Sequence, residues 1–485
     1  MALNLSVAAR KRVMLLASMM ALTALPLILD QVSLAQAPAR QALNARDLAM
    51  TMPGSFTLAS VGDVIIRRPA SALHDTGLQA ALKLIKDADV SVGNLEGSLA
   101  DLRHFDGPLR GFVGTHEVAA DLATMGFDML NRANNHLLDS EAEGMFATNT
   151  LLDKAGIRHA GSGRTLNEAA APAFLELPKG RVALVGMHTP NGVASGRLAA
   201  TAQQGNLGGR PGLNMLGYSE MIVVTPQQVA ELQKFRDELF QHRTRYDSPR
   251  PAPQPGGDRV TLPTSSSGRE DATFRAAKAG EIPGTIDFTM SRPDLDRIVR
   301  GVRNAAAFSD FTIATIHAHQ NQSVLERFHS STKPPAFLVE LAHQLIDQGA
   351  HAFVGHGPHI LRGIEIYKGR PIFYGMGEFF RQMNWSLETE FGLADAGSGG
   401  EGDAEGGSLA NESILATSQY EGGVLKEVRI YPIDLRVGGP NSWVGIPRIS
   451  PPDIGARILQ RVQRLSKELG TSMSIENNVG IIRVP

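Results

Sequence analysis

Asp63, Glu96, Asn135, His136, His317, His319, His356 and His359 are of the types that suit metal chemistry, and each stands just behind a short apolar run. "FTLASV" (56–61) leads into Gly62-Asp63, "DVSV" (89–92) into Gly93-Asn94-Leu95-Glu96, and "FDML" (127–130) into Asn131-Arg132-Ala133-Asn134-Asn135-His136. "FTIATI" (311–316) leads into His317-Ala318-His319, "HAFV" (351–354) into Gly355-His356-Gly357-Pro358-His359, and "PIFY" (371–374) into Gly375-Met376-Gly377-Glu378. Carboxylate, amide-oxygen and imidazole ligands together suit Mn, Fe or Zn, and a bridging carboxylate with this many ligands suits two ions rather than one. Such a pair activates water and clamps the oxygens of a phosphoryl-like or acyl centre. Alternate residues of an extended chain face one side, which puts His317 and His319 together. Taken singly, Gly-Asp after a strand is more often a turn, and a lone histidine is more often satisfied by backbone groups. The ordered set is what points to a metal site.

The elements that must position these residues follow from the same runs. Near-continuous apolar strands alternate with helical patterns at 78–88, 116–125, 144–156 and 335–349, and "RVALVGM" (181–187) adds a further strand. Strands of that kind between amphipathic helices indicate an α/β fold with its sheets covered by helices. In such folds ligands bind beyond the carboxyl ends of strands, so the polar clusters converge on one rim. Between Thr189 and Ile286 the alternation lapses, and 242–270 is dense in Pro, Gly, Ser and charge; it reads as a mobile loop in an insertion of about 190–285. A Gly-rich stretch (392–408) precedes a strand pattern at 423–437 and a helix pattern at 453–470, so 386–485 reads as an extension packing on the domain of 55–385.

Composition narrows the setting. With 485 residues, 42% apolar and 20% charged, the chain is an ordinary globular protein, and its net charge of −2 supplies no general attraction to nucleic acid. Arg10, Lys11 and Arg12 precede an apolar run from Val13 to Leu29 and then small residues, the order of a secretory signal peptide cleaved before Gln36 or kept as an anchor. That predicts a periplasmic or extracellular location. The absence of cysteine excludes disulfides, thiolate ligands and thiol catalysis. His74, His104, His116, His159, His188, His242, His329, His343 and His351 read as surface or structural residues.

At "GDVII", "NLEG", "ANNHLLD", "IHAHQNQ" and "GAHAFVGHGPHILRGIEIYKGRPIFYGMGEFF" the sequence resembles the CapA family of poly-γ-glutamate capsule biosynthesis proteins, over roughly Phe56 to Phe380. The resemblance implies a metallophosphatase-like α/β sandwich with central sheets flanked by helices. It places Asp63, Glu96, Asn135, His317, His356 and His359 at ligand positions, with Glu96 as the bridging carboxylate. It also makes His136 the general acid oriented by Asp139. The chain departs from the family in having Ala318-His319 for Trp-Gly, Gly357 for a second adjacent His, and Glu378 for the Asn of Leu-Gly-Asn-Phe. Asp63 is followed by Val64 and Ile65, with no metallophosphoesterase histidine, and His319 is the candidate replacement. Asn94, Arg362 and Glu378 are the candidate substrate contacts. The implied partners are an anionic envelope polymer or its precursor and a capsule synthesis or export complex in the membrane. Three functions compete: a metal-dependent hydrolase or transferase of polymer assembly, a non-catalytic polymer-binding or export accessory, and a general periplasmic phosphoesterase.

Overall fold

Runs buried on both faces and stripes buried on one face build the molecule. A computed structural model describes residues 50–190, 197–241, 257–263, 271–326, 330–382, 411–435 and 443–484. The first half runs β1 (Ser55–Ile65), α1 (Thr76–Lys86), β2 (Val90–Leu95), α2 (Glu117–Met125), β3 (Met129–Asn131), α3 (Glu141–Lys154), β4 (Arg158–Ala160), β5 (Ala173–Leu177) and β6 (Gly180–His188). An inserted unit follows, with β7 (Tyr218–Val224), α4 (Pro226–Gln241), β8 (Arg259–Pro263), β9 (Asp271–Ala276) and β10 (Ile286–Met290). Then come α5 (Arg292–Ala307), β11 (Phe311–His317), α6 (Ala336–Asp347), β12 (Ala352–His356), β13 (Ile364–Tyr367), β14 (Arg370–Phe373) and β15 (Glu378–Arg381). The chain closes with β16 (Glu412–Glu421), β17 (Val424–Asp434), α7 (Pro452–Glu468), β18 (Ser474–Glu476) and β19 (Val479–Arg483).

Local chemistry explains these boundaries. In α1 the Asp75 carboxylate accepts from the Leu78 amide, capping the first turn, and Leu78, Ala81, Leu82 and Ile85 form one buried stripe. Lys83 and Lys86 complement the dipole in its last turn. Strand β11 is buried at every position, which a strand inside a covered sheet requires.

Two large sheets face each other. The first has the order β18-β19-β17-β16-β1-β2-β3-β4, with β15 paired along the end of β1; the second has β13-β14-β12-β11-β6-β5. Strands β1 to β4 run parallel, as do β6, β11, β12 and β14. Phe56, Leu58, Val90, Val92 and Met129 of the first sheet pack on Val182, Leu184, Phe311, Ile313 and Val354 of the second. Aromatic rings pin this layer, with Phe56 and Phe311 at 4.9 Å and Phe311 and Tyr420 at 5.2 Å between centroids. A second core lies between the first sheet and α1 and α2, and a third between the second sheet and α5 and α6. The layers are therefore helix, sheet, sheet, helix: a metallophosphatase-like α/β sandwich.

The C-terminal strands extend the first sheet, and α7 contributes Ile458, Leu459 and Val462 to the inter-sheet core. The inserted unit differs from the loop expected between 242 and 270, because Arg259–Pro263 is a strand in a four-stranded sheet of order β8-β9-β7-β10. Proline and serine on either side hide its alternation, in which Val260 is buried and Arg259 and Thr261 are exposed. Residues 242–256, 264–270 and the leader lie outside the described residues. No described helix is long and apolar enough to cross a membrane.

Candidate metal centre

The carboxyl ends of the parallel strands of both sheets meet at one place. Asp63 is in register with Asn94 and Glu378, and Asn94 with Asn131, on the first sheet; His317 is in register with His356 and His188 on the second. The expected residues Asp63, Glu96, Asn135, His317, His319, His356 and His359 all come together here.

Two groups of potential ligands share one residue. Asp63, Glu96 and His317 each offer an atom within 4.8 Å of the others, and so do Glu96, His319 and His359. His317 Nε2 lies 2.8 Å from Asn135 Oδ1 and 2.7 Å from His319 Nε2, and His319 Nε2 lies 3.3 Å from the same amide oxygen. His356 Nδ1 is 3.7 Å from Asp63 Oδ1, and His359 Nδ1 is 3.4 Å from Asp63 Oδ2 and 3.1 Å from Glu378 Oε1. Glu378, expected as a substrate contact, is part of this cluster, and Arg381 Nε lies 3.2 Å from its other oxygen.

Burial tests whether these residues fit a cation. Glu96 is 1% exposed, and neither of its oxygens has a hydrogen-bond partner among the described residues. His356 is equally enclosed, with both ring nitrogens unbonded among the described residues. Leaving one buried polar group unsatisfied costs about 1–3 kcal/mol, and more for a charged group. Convergence of several such groups on one point is what a bound cation relieves. These buried acid and histidine groups are of a kind that can hold a metal.

Electrostatics agree with crowded, dehydrated charge. Burial pushes Glu96 well above the ordinary carboxylate range, against the opposing charge of His359. Burial acts the same way on Asp63, but hydrogen bonds and charge from His317 and His359 hold it well below that range. Burial would lower His359, yet Glu96 and Glu378 beside it hold its imidazole well above the usual value. Burial lowers His317, and lowers His356 to about 4. His359 also has a left-handed backbone, with φ of 56°, a strained conformation for a residue with a side chain.

His136 stands at the edge of the cluster. Its Nδ1 is 2.6 Å from Asp139 Oδ2, its ring lies 4.3 Å from that of Phe112, and its Nε2 is 3.7 Å from Glu96 Oε1. The carboxylate fixes the ring and leaves Nε2 as the nitrogen facing the ligands, where a proton can be given or taken.

The remaining candidates serve as supports. Asn94 is fully enclosed: its Nδ2 lies 2.8 Å from Asp63 Oδ1 and 3.1 Å from His317 Nδ1, and its Oδ1 accepts from Asn131 and Asn134. It holds Asp63 and His317 in place. Arg362, expected to meet an anion, is instead buried and donates to the carbonyls of Ser331 and Gln320, bracing the loop after His319. Arg132 has the matching role on the first sheet, where it donates to the Leu95 and Gly97 carbonyls on either side of Glu96. Burial lowers Arg132 to about 9 and Arg362 to about 10.

His188 was passed over in the sequence. It is fully buried, its Nδ1 lies 2.8 Å from the His317 carbonyl oxygen, and its ring is 5.5 Å from that of His317. The signal was present, since His188 ends an apolar strand just as His317 and His356 do. The close approach of the His356 loop depends on Gly357: its amide donates to Asp63 Oδ2 at 3.0 Å, its φ is 104°, and a Cβ there would lie 2.8 Å from the Ala318 amide nitrogen. No histidine fits at 357 without moving that strand end.

Comparison with known proteins adds three findings. Residues 57–383 match the family described as bacterial capsule synthesis protein PGA_cap. An uncharacterized protein of Sinorhizobium fredii, y4sH, is 37% identical over an alignment covering 90% of this chain and 95% of the relative. Shorter stretches match the PGA biosynthesis protein CapA of Bacillus subtilis, at 45% identity over 11% of this chain and 14% of that protein, and a probable polyglutamine synthesis accessory protein of Mycobacterium tuberculosis, at 52% identity over 8% and 10%.

Proposed function

The chain belongs to the PGA_cap family of bacterial capsule synthesis proteins, and from that membership we propose that it is a metal-dependent hydrolase or transferase of capsule or poly-γ-glutamate assembly, acting outside the cytoplasm. The observation that carries this reading is the pair of ligand groups sharing the enclosed Glu96, beside the His136–Asp139 pair. Asp63, Glu96, Asn135, His317, His319, His356, His359 and Glu378 would hold two ions of Mn, Fe or Zn. Bound there, the ions would lower the pKa of water to make a nucleophile at neutral pH and polarise the oxygen of an acyl or phosphoryl group. His136, held by Asp139, gives a proton to the leaving group through Nε2. Asn94 and Arg132 hold Asp63 and Glu96 in place while this happens. The substrate is an anionic envelope polymer or its precursor, and a capsule synthesis or export complex in the membrane is the partner. The basic and apolar leader supports an extracytoplasmic location; recovery from the cell envelope of a chain beginning near Gln36 checks it.

The test is metal analysis of the chain purified without chelator, together with turnover of γ-linked oligoglutamate and of simple phosphodiesters. The expected result is about two ions per chain, with His136→Ala keeping them and losing turnover. Undiminished turnover in His136→Ala overturns the assignment of the acid. A second reading, a non-catalytic accessory that binds polymer, is favoured by the Val64 and Ile65 that follow Asp63 without a histidine. It predicts polymer binding indifferent to chelators and no turnover by the metal-loaded chain.

A further inference from the structure

Next to His136 and Asp139 the surface opens into a cavity of about 690 Å³, lined among others by Arg110, Gly111, Asn135, Asp139, Arg197 and Arg210. Besides the Asn135–Ala142 segment, two separate parts of the chain line it. Arg110 lies on the connection between β2 and α2 that folds over the His136–Asp139 pair. Gly111 is pressed so close that a Cβ would fall 1.7 Å from Asp139 Oδ2, at a φ of 63°. Arg67 donates to the Val113 carbonyl at 3.2 Å, and the Ser140 hydroxyl lies 3.4 Å from both the amide and the carbonyl of Arg110, so this wall is braced. The other wall is the segment before β7, where Arg210 donates through Nε and Nη2 to the Ala199 carbonyl and through its amide to Thr201.

The charges on this cavity are unbalanced. Two carboxylates line it, Asp139 and Glu141, and Asp139 is committed to His136. Among the described residues neither Arg110 nor Arg197 is paired with a carboxylate, and both are exposed, on separate segments of the lining. A guanidinium takes a carboxylate in bidentate fashion, with more geometric demand than a lysine. The volume lies within the range that accepts a whole ligand rather than a single small anion.

We propose that this cavity is the subsite for the chain of an oligo-carboxylate substrate, with Arg110 and Arg197 each taking one free carboxylate and Arg210 adding fixed positive charge. A polymer with a carboxylate on every residue satisfies both walls at once, and its backbone then runs past His136. This rests on the polymer reading given above and deepens it by naming the residues that recognise the chain.

The test is binding of a labelled γ-linked glutamate decamer to the full chain, in wild type, Arg110→Gln and Arg197→Gln, with metal content measured in each. The expected result is saturable binding by wild type, about tenfold or more weaker in each variant, with metal content unchanged. Free glutamate at the same carboxylate concentration should compete poorly, because it lacks the linked carboxylates that make the second contact intramolecular. Wild-type affinity in both variants overturns the subsite. Inorganic polyphosphate competing better than the decamer overturns the carboxylate assignment in favour of a phosphate chain. Turnover is read separately: arginine-dependent binding without turnover defeats the hydrolase or transferase reading and leaves the subsite, whereas turnover with arginine-independent binding does the reverse.

Discussion

The two sheet edges that meet at the candidate metal centre carry different chemistry. The first sheet brings the carboxylates Asp63, Glu96 and Glu378, with Asn135 and His136 behind β3, while the second brings imidazoles alone among these residues, His188, His317, His319, His356 and His359. Neither edge alone supplies a ligand set, because Asp63 and Glu96 need His317, and His319 and His359 need Glu96. Each edge is braced from behind by one buried arginine, Arg132 or Arg362. The candidate centre is therefore assembled only when the sandwich is closed, and any metal binding there would be linked to inter-sheet packing.

The comparison breaks most sharply at the shared residue. Glu96→Ala should lose both ions, on the order of 100-fold or more in metal affinity, while His319→Ala should lose one; elemental analysis of the two variants distinguishes them, and retention of both ions by Glu96→Ala would end the bridging role. Next in size is the packing between the sheets. Phe311→Ala should cost about 3–5 kcal/mol in denaturant unfolding and weaken metal binding, whereas Phe337→Ala, in the core on the outer face of the second sheet, should cost a similar amount with metal affinity retained.

Chelation tests the linkage itself. Removing metal held at 100 to 1,000 times its dissociation constant should lower stability by about 3–4 kcal/mol. The sign of the pH effect follows from Glu96 and His359, both raised by folding. A group raised by folding holds its proton more tightly in the folded chain, so metal-free stability falls as pH rises from each group's unfolded value toward its folded one, a window that for His359 begins at about 6.5. Metal displaces those same protons, so its affinity rises over the same window. The gain in melting temperature on adding Mn or Zn should thus be larger at alkaline than at neutral pH; a gain flat with pH would contradict it. The smallest effect comes from the braces. Arg132→Lys and Arg362→Lys should each cost about 1–2 kcal/mol, the first weakening both ions through Glu96 and the second only the ion near His319.

The convergence of the acid- and histidine-bearing strand ends was legible in the sequence because a buried parallel strand shows as an apolar run and its polar successor marks the rim. His188 obeys the same rule but stands alone, without a second histidine or acid behind it, and the reading of it as structural agrees with its burial against the His317 carbonyl. Arg132 and Arg362 were not legible as braces: nothing in a local pattern tells an arginine that bonds backbone carbonyls from one that meets solvent. The inserted sheet escaped for a different reason. Its strands are short, proline and serine hide the alternation of β8, and β7 pairs with β9 and with the distant β10.

Gly357 makes two strand ends answerable to one another. A side chain at 357 would strike the backbone of Ala318, and the Gly357 amide donates to Asp63, so a change there reaches the His317–His319 segment and an acid of the opposite sheet together. Positions in contact are expected to couple rather than add, so a substitution at 357 is felt on both sheets at once.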